Sequence, residues 1–175
     1  MHFEEVIKTT DPQHNAILLV EDDGADILLL RHAFRDAGIA NPLLEVRDGQ
    51  QAIQYLSGDG PYADRSRYPI PFLLLLDLRL PKLSGFEVLA WIRDQPELAE
   101  VIVVVLTGSD HVPDANRARE LGANSYLVKP GNFTELVEML RQIKGRWLLL
   151  ERLPADSELV LAEDPEIGDK IRPHL

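Results

Sequence analysis

The chain of 175 residues carries a formal net charge of −11 and contains no cysteine. The excess of acid argues against direct nucleic-acid binding, which needs clustered Lys and Arg, and the lack of cysteine excludes disulfides and thiolate metal sites. The longest apolar runs have five or six residues, far short of the roughly 20 that span a bilayer, and residues 1–15 have no apolar core typical of a signal peptide. We therefore expect a cytoplasmic protein with no membrane contact.

Five apolar runs alternate with five helical patterns. The predicted strands are Ile17–Val20, Leu43–Val46, Phe72–Leu76, Val101–Leu106 and Ser125–Val128. The predicted helices are Gly24–Ala37, Gly49–Leu56, Phe86–Asp94, Asp114–Leu121 and one that begins near Phe133. This alternation with short connections predicts right-handed βαβ units in an α/β fold with a doubly wound parallel sheet.

One connection, from Ser57 to Pro71, is much longer than the others and contains several Gly and Pro residues. We interpret it as a surface loop on the amino-terminal side of the third strand, with a partner-contact loop as the alternative. It lies at the opposite end of that strand from the edge at which ligands bind in open α/β folds.

The last helix has an apolar pattern longer than the sheet requires. Heptad spacing relates the residues Leu136, Leu140, Ile143, Trp147 and Leu150. The first half of this series is needed to cover the sheet. The end with Trp147 and Leu150 is a candidate dimer interface, with packing by the chain's own tail as the alternative.

These patterns divide the chain into three parts. Residues 1–14 form an N-terminal extension, 15–145 one domain, and 146–175 a helix extension with an acidic tail. From 151 onwards the tail has seven acidic and three basic residues, a composition typical of loosely ordered chain and too short for a further domain. We expect no output domain.

Polar side chains follow four of the five predicted strands. In chain order they are Glu21, Asp22 and Asp23 after the first strand, Asp77 after the third, Thr107 after the fourth and Lys129 after the fifth. Parallel neighbours lie about 5 Å apart and end at the same edge of the sheet. These groups are therefore predicted to share one crevice.

Several carboxylates cannot stay ionised together without compensation, and a divalent cation provides it. Oxygen ligands without His or Cys favour Mg²⁺. With a nucleophilic Asp, a lysine cation and a hydroxyl donor, the set meets the needs of phosphoryl transfer to a carboxylate. Taken singly, the acids after the first strand could be helix N-caps, and Thr107 or Lys129 could belong to ordinary turns. Their order along successive strand ends favours the shared site.

Four segments resemble the receiver domains of two-component response regulators, over about residues 15 to 145. They are Val20-Glu21-Asp22-Asp23, Leu76-Asp77-Leu78-Arg79-Leu80-Pro81-Lys82-Leu83-Ser84-Gly85, Leu106-Thr107-Gly108-Ser109 and Tyr126-Leu127-Val128-Lys129-Pro130. The long loop and the aromatic-rich last helix resemble, more narrowly, single-domain regulators paired with phytochrome kinases of cyanobacteria and other bacteria. The resemblance implies a flavodoxin-like fold with five helices around a five-stranded sheet of order 2-1-3-4-5.

The resemblance also implies roles for the acidic residues. Asp77 would be the phosphoacceptor. Glu21 and Asp22 occupy the positions of the family's acidic pair, and together with Asp77 and the backbone carbonyl of Arg79 they form the implied Mg²⁺ site. Asp23 is a third acid at a variable position and is not assigned to the metal.

Four further residues take roles from the family. Thr107 and Lys129 would each bind a phosphoryl oxygen, which makes them catalytic together with the acceptor. Thr107 and Tyr126 would form the conformational switch. The Lys129–Pro130 peptide bond would be cis, at a cost of about 0.5–1 kcal/mol before proline, and would aim the lysine into the site.

The resemblance implies a signalling protein that takes a phosphoryl group from a histidine kinase, with a bacteriophytochrome as the candidate partner, and then changes its protein contacts. It would catalyse only its own phosphorylation and dephosphorylation. The alternatives are a relay or sink in a phosphorelay, or a scaffold that works without phosphorylation. A phosphohydrolase would need a second acid where Arg79 stands. A flavin carrier would need a glycine- and hydroxyl-rich loop in place of the acids after the first strand.

Overall fold

The computed structural model describes residues 15–148. The strands of its parallel sheet are β1 (Ile17–Val20), β2 (Leu43–Val46), β3 (Leu73–Leu76), β4 (Ile102–Thr107) and β5 (Ser125–Val128). The helices are α1 (Gly24–Asp36), α2 (Gly49–Ser57), α3 (Gly85–Arg93), α4 (Val112–Glu120) and α5 (Phe133–Ile143). The sheet order is β2-β1-β3-β4-β5, so the expected fold is confirmed. The N-terminal extension and the acidic tail lie outside the described residues.

The central strand β3 is buried on both faces, which explains its unbroken run of leucines. Leu73 and Leu75 pack in a core with α1 and α5, whereas Leu74 and Leu76 pack in a second core with α2, α3 and α4. Successive strand residues point to opposite faces, so one strand serves both cores. Replacing a leucine here with alanine would cost roughly 2–5 kcal/mol.

Side-chain caps set the helix starts that flank the edge of the sheet. Asp23 accepts from backbone amides in the first turn of α1, Ser84 forms a reciprocal capping box with Glu87 in α3, and Asn132 caps α5. Helix α4 begins at Val112, two residues before the predicted start, because the proline that follows fits a first helical turn. Within the described part of the chain, no helix has the length and apolar character needed to cross a membrane.

The loop after β3 is fastened to the start of α2. The Asp48 carboxylate lies 2.7 Å from the Lys82 ammonium, and the Gly49 amide donates to the Pro81 carbonyl. A Cβ at Gly49 would lie 2.1 Å from the Leu83 carbonyl oxygen, so no larger residue fits. Burial acts to raise the pKa of Asp48, but the hydrogen bond and charge of Lys82, together with the hydrogen bond from the Gln51 amide, outweigh it and lower that pKa. This attachment fixes the loop at the edge where the predicted site lies.

The long connection before β3 folds against α2. The rings of Tyr55, Tyr62 and Tyr68 pack in tilted and edge-to-face contacts, with centroids 5.2–5.9 Å apart. The Arg65 guanidinium donates to the Tyr55 and Leu56 carbonyls at 2.8 and 2.7 Å, which provides donors for carbonyls in the last turn of the helix. These contacts agree with the surface-loop interpretation; the partner-contact alternative stays untested.

The last helix changes its pitch where the heptad pattern was expected to continue. Helix α5 ends at Ile143 and is followed by a π-helical turn, Lys144–Leu148. A π turn holds more residues than an α turn, and Leu148 rather than Trp147 becomes the buried residue. Trp147 is half-buried and packs against the core of its own chain. The dimer contact stays a prediction, and Leu150 lies outside the described residues.

Candidate functional site

The site lies where β1, β3, β4 and β5 end at one edge of the sheet. Strand pairing sets Val20 beside Leu76, and the Asp77 amide continues that ladder by donating to the Val20 carbonyl at 3.1 Å. On the other side, the Lys129 amide donates to the Thr107 carbonyl at 2.7 Å. The backbone ladders thus carry the sequence-predicted residues of different strands to the same edge.

Asp77 is held by a close approach between its own backbone and helix α3. A Cβ on Gly85 would lie 2.2 Å from the Asp77 carbonyl oxygen, so only glycine lets the helix start this close. The Gly85 amide donates to the Leu78 carbonyl at 3.0 Å. In addition, Asp77 Oδ1 accepts from the Arg79 amide at 3.2 Å, an Asx-type turn that curls the loop around the carboxylate.

The Lys129 ammonium is the centre of the site. Its Nζ lies 2.5 Å from Glu21 Oε2, 2.8 Å from Asp26 Oδ2 and 3.0 Å from Asp77 Oδ2. Burial acts to lower the pKa of Lys129, but the hydrogen bonds to Asp26 and Glu21 and the charge of Asp77 outweigh it and raise that pKa. Lys129 therefore stays charged, as a cation set directly on the predicted acceptor.

Glu21 is the buried member of the acidic group. Both of its oxygens are engaged, since Oε1 accepts from the Asp23 amide at 3.0 Å and Oε2 accepts from Lys129. Burial raises the pKa of Glu21 more than these hydrogen bonds lower it, and the charge of Asp77 adds to the rise. A buried carboxylate in this state gains from any further cation at the site.

Glu21, Asp22 and Asp77 can converge on one cation. Each offers a carboxylate oxygen, and the three oxygens lie within 4.8 Å of one another. Asp22 is exposed, so one side of the group is open to solvent. Clustered carboxylate oxygens with an open side suit a hard divalent cation that keeps some of its water. The Asp23 carboxylate caps α1 and is therefore directed away from this group. This agrees with leaving Asp23 out of the predicted metal ligands.

Thr107 and the tyrosine switch position are joined through Ser109. Thr107 is fully buried, and its hydroxyl oxygen accepts from the Ser109 amide at 3.3 Å. The Tyr126 hydroxyl donates to the Ser109 carbonyl at 2.8 Å, and the Ser109 hydroxyl donates to Asp114 in α4 at 2.7 Å. A movement of Thr107 would thus reach both Tyr126 and α4 through one residue.

The expected cis peptide bond is wrong. The described residues contain no cis bond, so Lys129–Pro130 is trans, the form that is favoured by about 0.5–1 kcal/mol before proline. The family resemblance implied the cis bond and, with it, the orientation of the lysine toward the site. In the structure the lysine has that orientation without a cis bond. Three carboxylates hold the ammonium in place.

Sequence reasoning also missed two residues of the site. Asp26 lies in the first turn of α1 and follows no strand, so an inspection of strand ends could not find it. Its position three residues after Asp23 was the available signal, since both then lie on one side of the helix start. Ser109 was quoted only as part of a motif, and its role runs largely through its backbone.

Comparison with known proteins agrees with this geometry. The family model described as the response regulator receiver domain matches residues 17–141. The chain belongs to this family. Response regulator Rcp1 of Synechocystis sp. is 42% identical over 139 residues, which cover 79% of this chain and 92% of that protein. The probable methanogenesis regulatory protein FilR2 of Methanothrix harundinacea is 40% identical over 156 residues, covering 87% of this chain and 95% of FilR2.

Solved structures lead to the same family. The phosphorylated cyanobacterial phytochrome response regulator RcpA superposes with a TM-score of 0.70 at 41% identity, over 77% of this chain and 94% of RcpA. The Mn²⁺-bound form of Rcp1 superposes with a TM-score of 0.71 at 41% identity, over 81% of this chain and 99% of Rcp1. This receiver domain is therefore closely related to phytochrome-associated regulators.

A comparison of two neighbouring acids should distinguish loss of a metal ligand from simple loss of negative charge. We expect Mg²⁺ to raise the melting temperature of the wild type, because a ligand that binds only the folded state stabilises it. Asp22→Asn should lose most of this rise. Asp23→Asn removes the same charge one residue away and keeps a good helix cap, so it should retain the rise. Equal Mg²⁺ responses in the two variants, measured by calorimetry, would contradict the assignment of Asp22.

Proposed function

We propose that Asp77 is the phosphoacceptor of a response regulator that takes its phosphoryl group from a histidine kinase in the cytoplasm. The observation that carries the proposal is that one carboxylate both pairs with a lysine ammonium and belongs to a candidate cation site. Asp77 lies 3.0 Å from the Lys129 ammonium and also belongs to the acidic group that can converge on a cation. A carboxylate that is only structural has no need of both.

The chemistry is a displacement at phosphorus. A carboxylate oxygen of Asp77 attacks the phosphorus of the kinase phosphohistidine, a P–O bond forms, the P–N bond breaks, and the imidazole leaves. Mg²⁺, held by Glu21, Asp22, Asp77 and the backbone carbonyl of Arg79, would neutralise charge on the phosphoryl oxygens when bound. Lys129 pairs with one phosphoryl oxygen, and Thr107 donates its hydroxyl to another.

The response begins at Thr107. When the Thr107 hydroxyl is drawn toward the phosphoryl group, it breaks its hydrogen bond with the Ser109 amide. The Ser109 carbonyl accepts from Tyr126, and the Ser109 hydroxyl donates to Asp114 in α4, so the change reaches both. The surface formed by α4, β5 and α5 then changes its partners. A phosphoryl group can act only through its different free energies in the two states, and about 5.5 kcal/mol inverts a 99:1 equilibrium.

We assign the input to a phytochrome-type kinase, and hence the pathway to light signalling. Support comes from RcpA, named a phytochrome response regulator, at 41% identity, and from a bacteriophytochrome response regulator, RtBRR, at 40% identity. FilR2, named for methanogenesis, is just as similar at 40%. That similarity supports a second candidate with the same phosphoryl chemistry and an input other than light.

Phosphorylation from a small donor tests the acceptor. With acetyl phosphate and Mg²⁺, we expect the wild type to gain one phosphoryl group in intact-protein mass spectrometry. Asp77→Asn should gain none, because an amide cannot act as the nucleophile. Asp64→Asn is the control, since it changes an aspartate in the long connection before β3, away from the site, and should keep the adduct. A normal adduct on Asp77→Asn would overturn the proposal.

The kinase assignment has its own test. We expect a phytochrome-type histidine kinase of the same organism to transfer its radiolabelled phosphoryl group to this chain on the order of tenfold or more faster than to the receiver domains of other pathways. The transfer should depend on illumination. Acceptance from kinases of other inputs alone would favour the second candidate. The acceptor proposal survives either result.

A homodimer through the end of the last helix is a further part of the proposal. Sedimentation with and without a phosphoryl mimic should show a dimer fraction in at least one of the two states. Trp147→Ala should reduce it, whereas Trp91→Ala, which also changes a half-buried tryptophan, should not. A monomer in both states would remove this interface.

A further inference from the structure

Lys129 has one carboxylate partner that does not belong to the candidate metal site. A lysine ammonium offers three N–H donors, and three carboxylates lie within hydrogen-bond distance of it: Glu21, Asp26 and Asp77. Glu21 and Asp77 also belong to the group of oxygens that can converge on a cation, whereas Asp26 does not. Asp26 therefore interacts with the lysine without being a candidate metal ligand.

Asp26 approaches the ammonium from the solvent side. Its side chain is 39% exposed, compared with 2% for Glu21 and 9% for Asp77. It lies in the first turn of α1, and its amide donates to the Asp23 carboxylate that caps that helix. The backbone that carries Asp26 is thus fixed, and its carboxylate is 2.8 Å from Lys129.

A divalent cation at the acidic group places a physical demand on Lys129. The cation would draw on the same carboxylates, Glu21 and Asp77, that hold the ammonium, and like charges repel in a poorly solvated site. An ammonium with no other partner would be displaced toward solvent. The phosphoryl group, however, needs both cations at the acceptor together.

We propose that Asp26 is a positioning residue that keeps the Lys129 ammonium beside Asp77 while a divalent cation occupies the group formed by Glu21, Asp22 and Asp77. It touches neither the phosphoryl donor nor the metal and acts through the lysine alone. The inference rests on the proposed phosphorylation of Asp77.

The kinetic test compares Asp26→Asn with Asp23→Asn. Both remove one charge from an exposed acid near the site, but only the first loses a bond to Lys129. At saturating Mg²⁺ and acetyl phosphate, we expect the maximal phosphorylation rate of Asp26→Asn to fall on the order of tenfold, since misplacing a catalytic group by 1 Å costs up to about 10²-fold. Asp23→Asn should stay within about twofold, as expected of a substitution that spares the reacting groups.

A metal-free measurement tests the same contact without any reaction. Urea unfolding in EDTA gives a double-mutant cycle with Asp26→Asn and Lys129→Met. With Lys129 present, Asp26→Asn removes an attraction as well as repulsion from the other acids. With methionine there, it removes repulsion alone. In each background, the urea midpoint of the Asp26→Asn variant is compared with that of its own parent. The substitution should lower the midpoint more when Lys129 is present than when it is replaced by methionine.

The outcomes separate this inference from the proposed function. If the wild type gains no phosphoryl group on Asp77, the proposed function fails, and this inference fails with it. If the wild type is phosphorylated but Asp26→Asn reacts as fast as Asp23→Asn, or the two urea shifts are equal, only the role of Asp26 is overturned. Because asparagine is isosteric and the position is partly exposed, both variants are expected to fold.

Discussion

The structure depends on how one ammonium is shared among carboxylates at the edge of the sheet. Glu21, Asp26 and Asp77 all lie within 3.0 Å of the Lys129 ammonium, and Asp22 adds a further negative charge beside them. The acids outnumber the cation, so the site keeps an excess of negative charge that favours a divalent ion. That imbalance prepares the site for a metal ion, and the positive charge of the bound ion would in turn offset the repulsion between these acids and a phosphoryl group.

The rest of the fold serves to hold this arrangement. The two cores on either side of β3 fix the strand whose end carries Asp77. Gly85 lets helix α3 start against the acceptor's own backbone, and the contact of Lys82 with Asp48 fastens the intervening loop to α2. Ser109 links the buried Thr107 to α4. The position of the reacting carboxylate is thus set by backbone packing. The groups that would respond, Tyr126 and α4, are connected to Thr107 through hydrogen bonds of Ser109.

Much of the fold was predictable because strand burial and helix caps are local signals. The run of leucines before Asp77 and the polar residues after four of the five strands predicted the sheet and the edge that carries the site. The π-helical turn was not predictable, because the consecutive apolar residues at the end of the helix fit more than one helical pitch. As a result, Leu148 is the buried residue where the heptad pattern had placed Trp147. Asp26 was missed because it approaches the site from a helix. The cis bond before Pro130 was expected from the family resemblance alone, whereas the structure has the trans form that is generally favoured before proline.

The most direct measurement is a crystal structure with Mg²⁺ and beryllofluoride, an analogue of the phosphoryl group. The account predicts the beryllium bonded to a carboxylate oxygen of Asp77, with the Lys129 ammonium and the Thr107 hydroxyl each bonded to a fluoride. It also predicts that Asp26 still contacts Lys129. Beryllofluoride on another residue, or a Lys129 side chain turned away into solvent, would contradict the account.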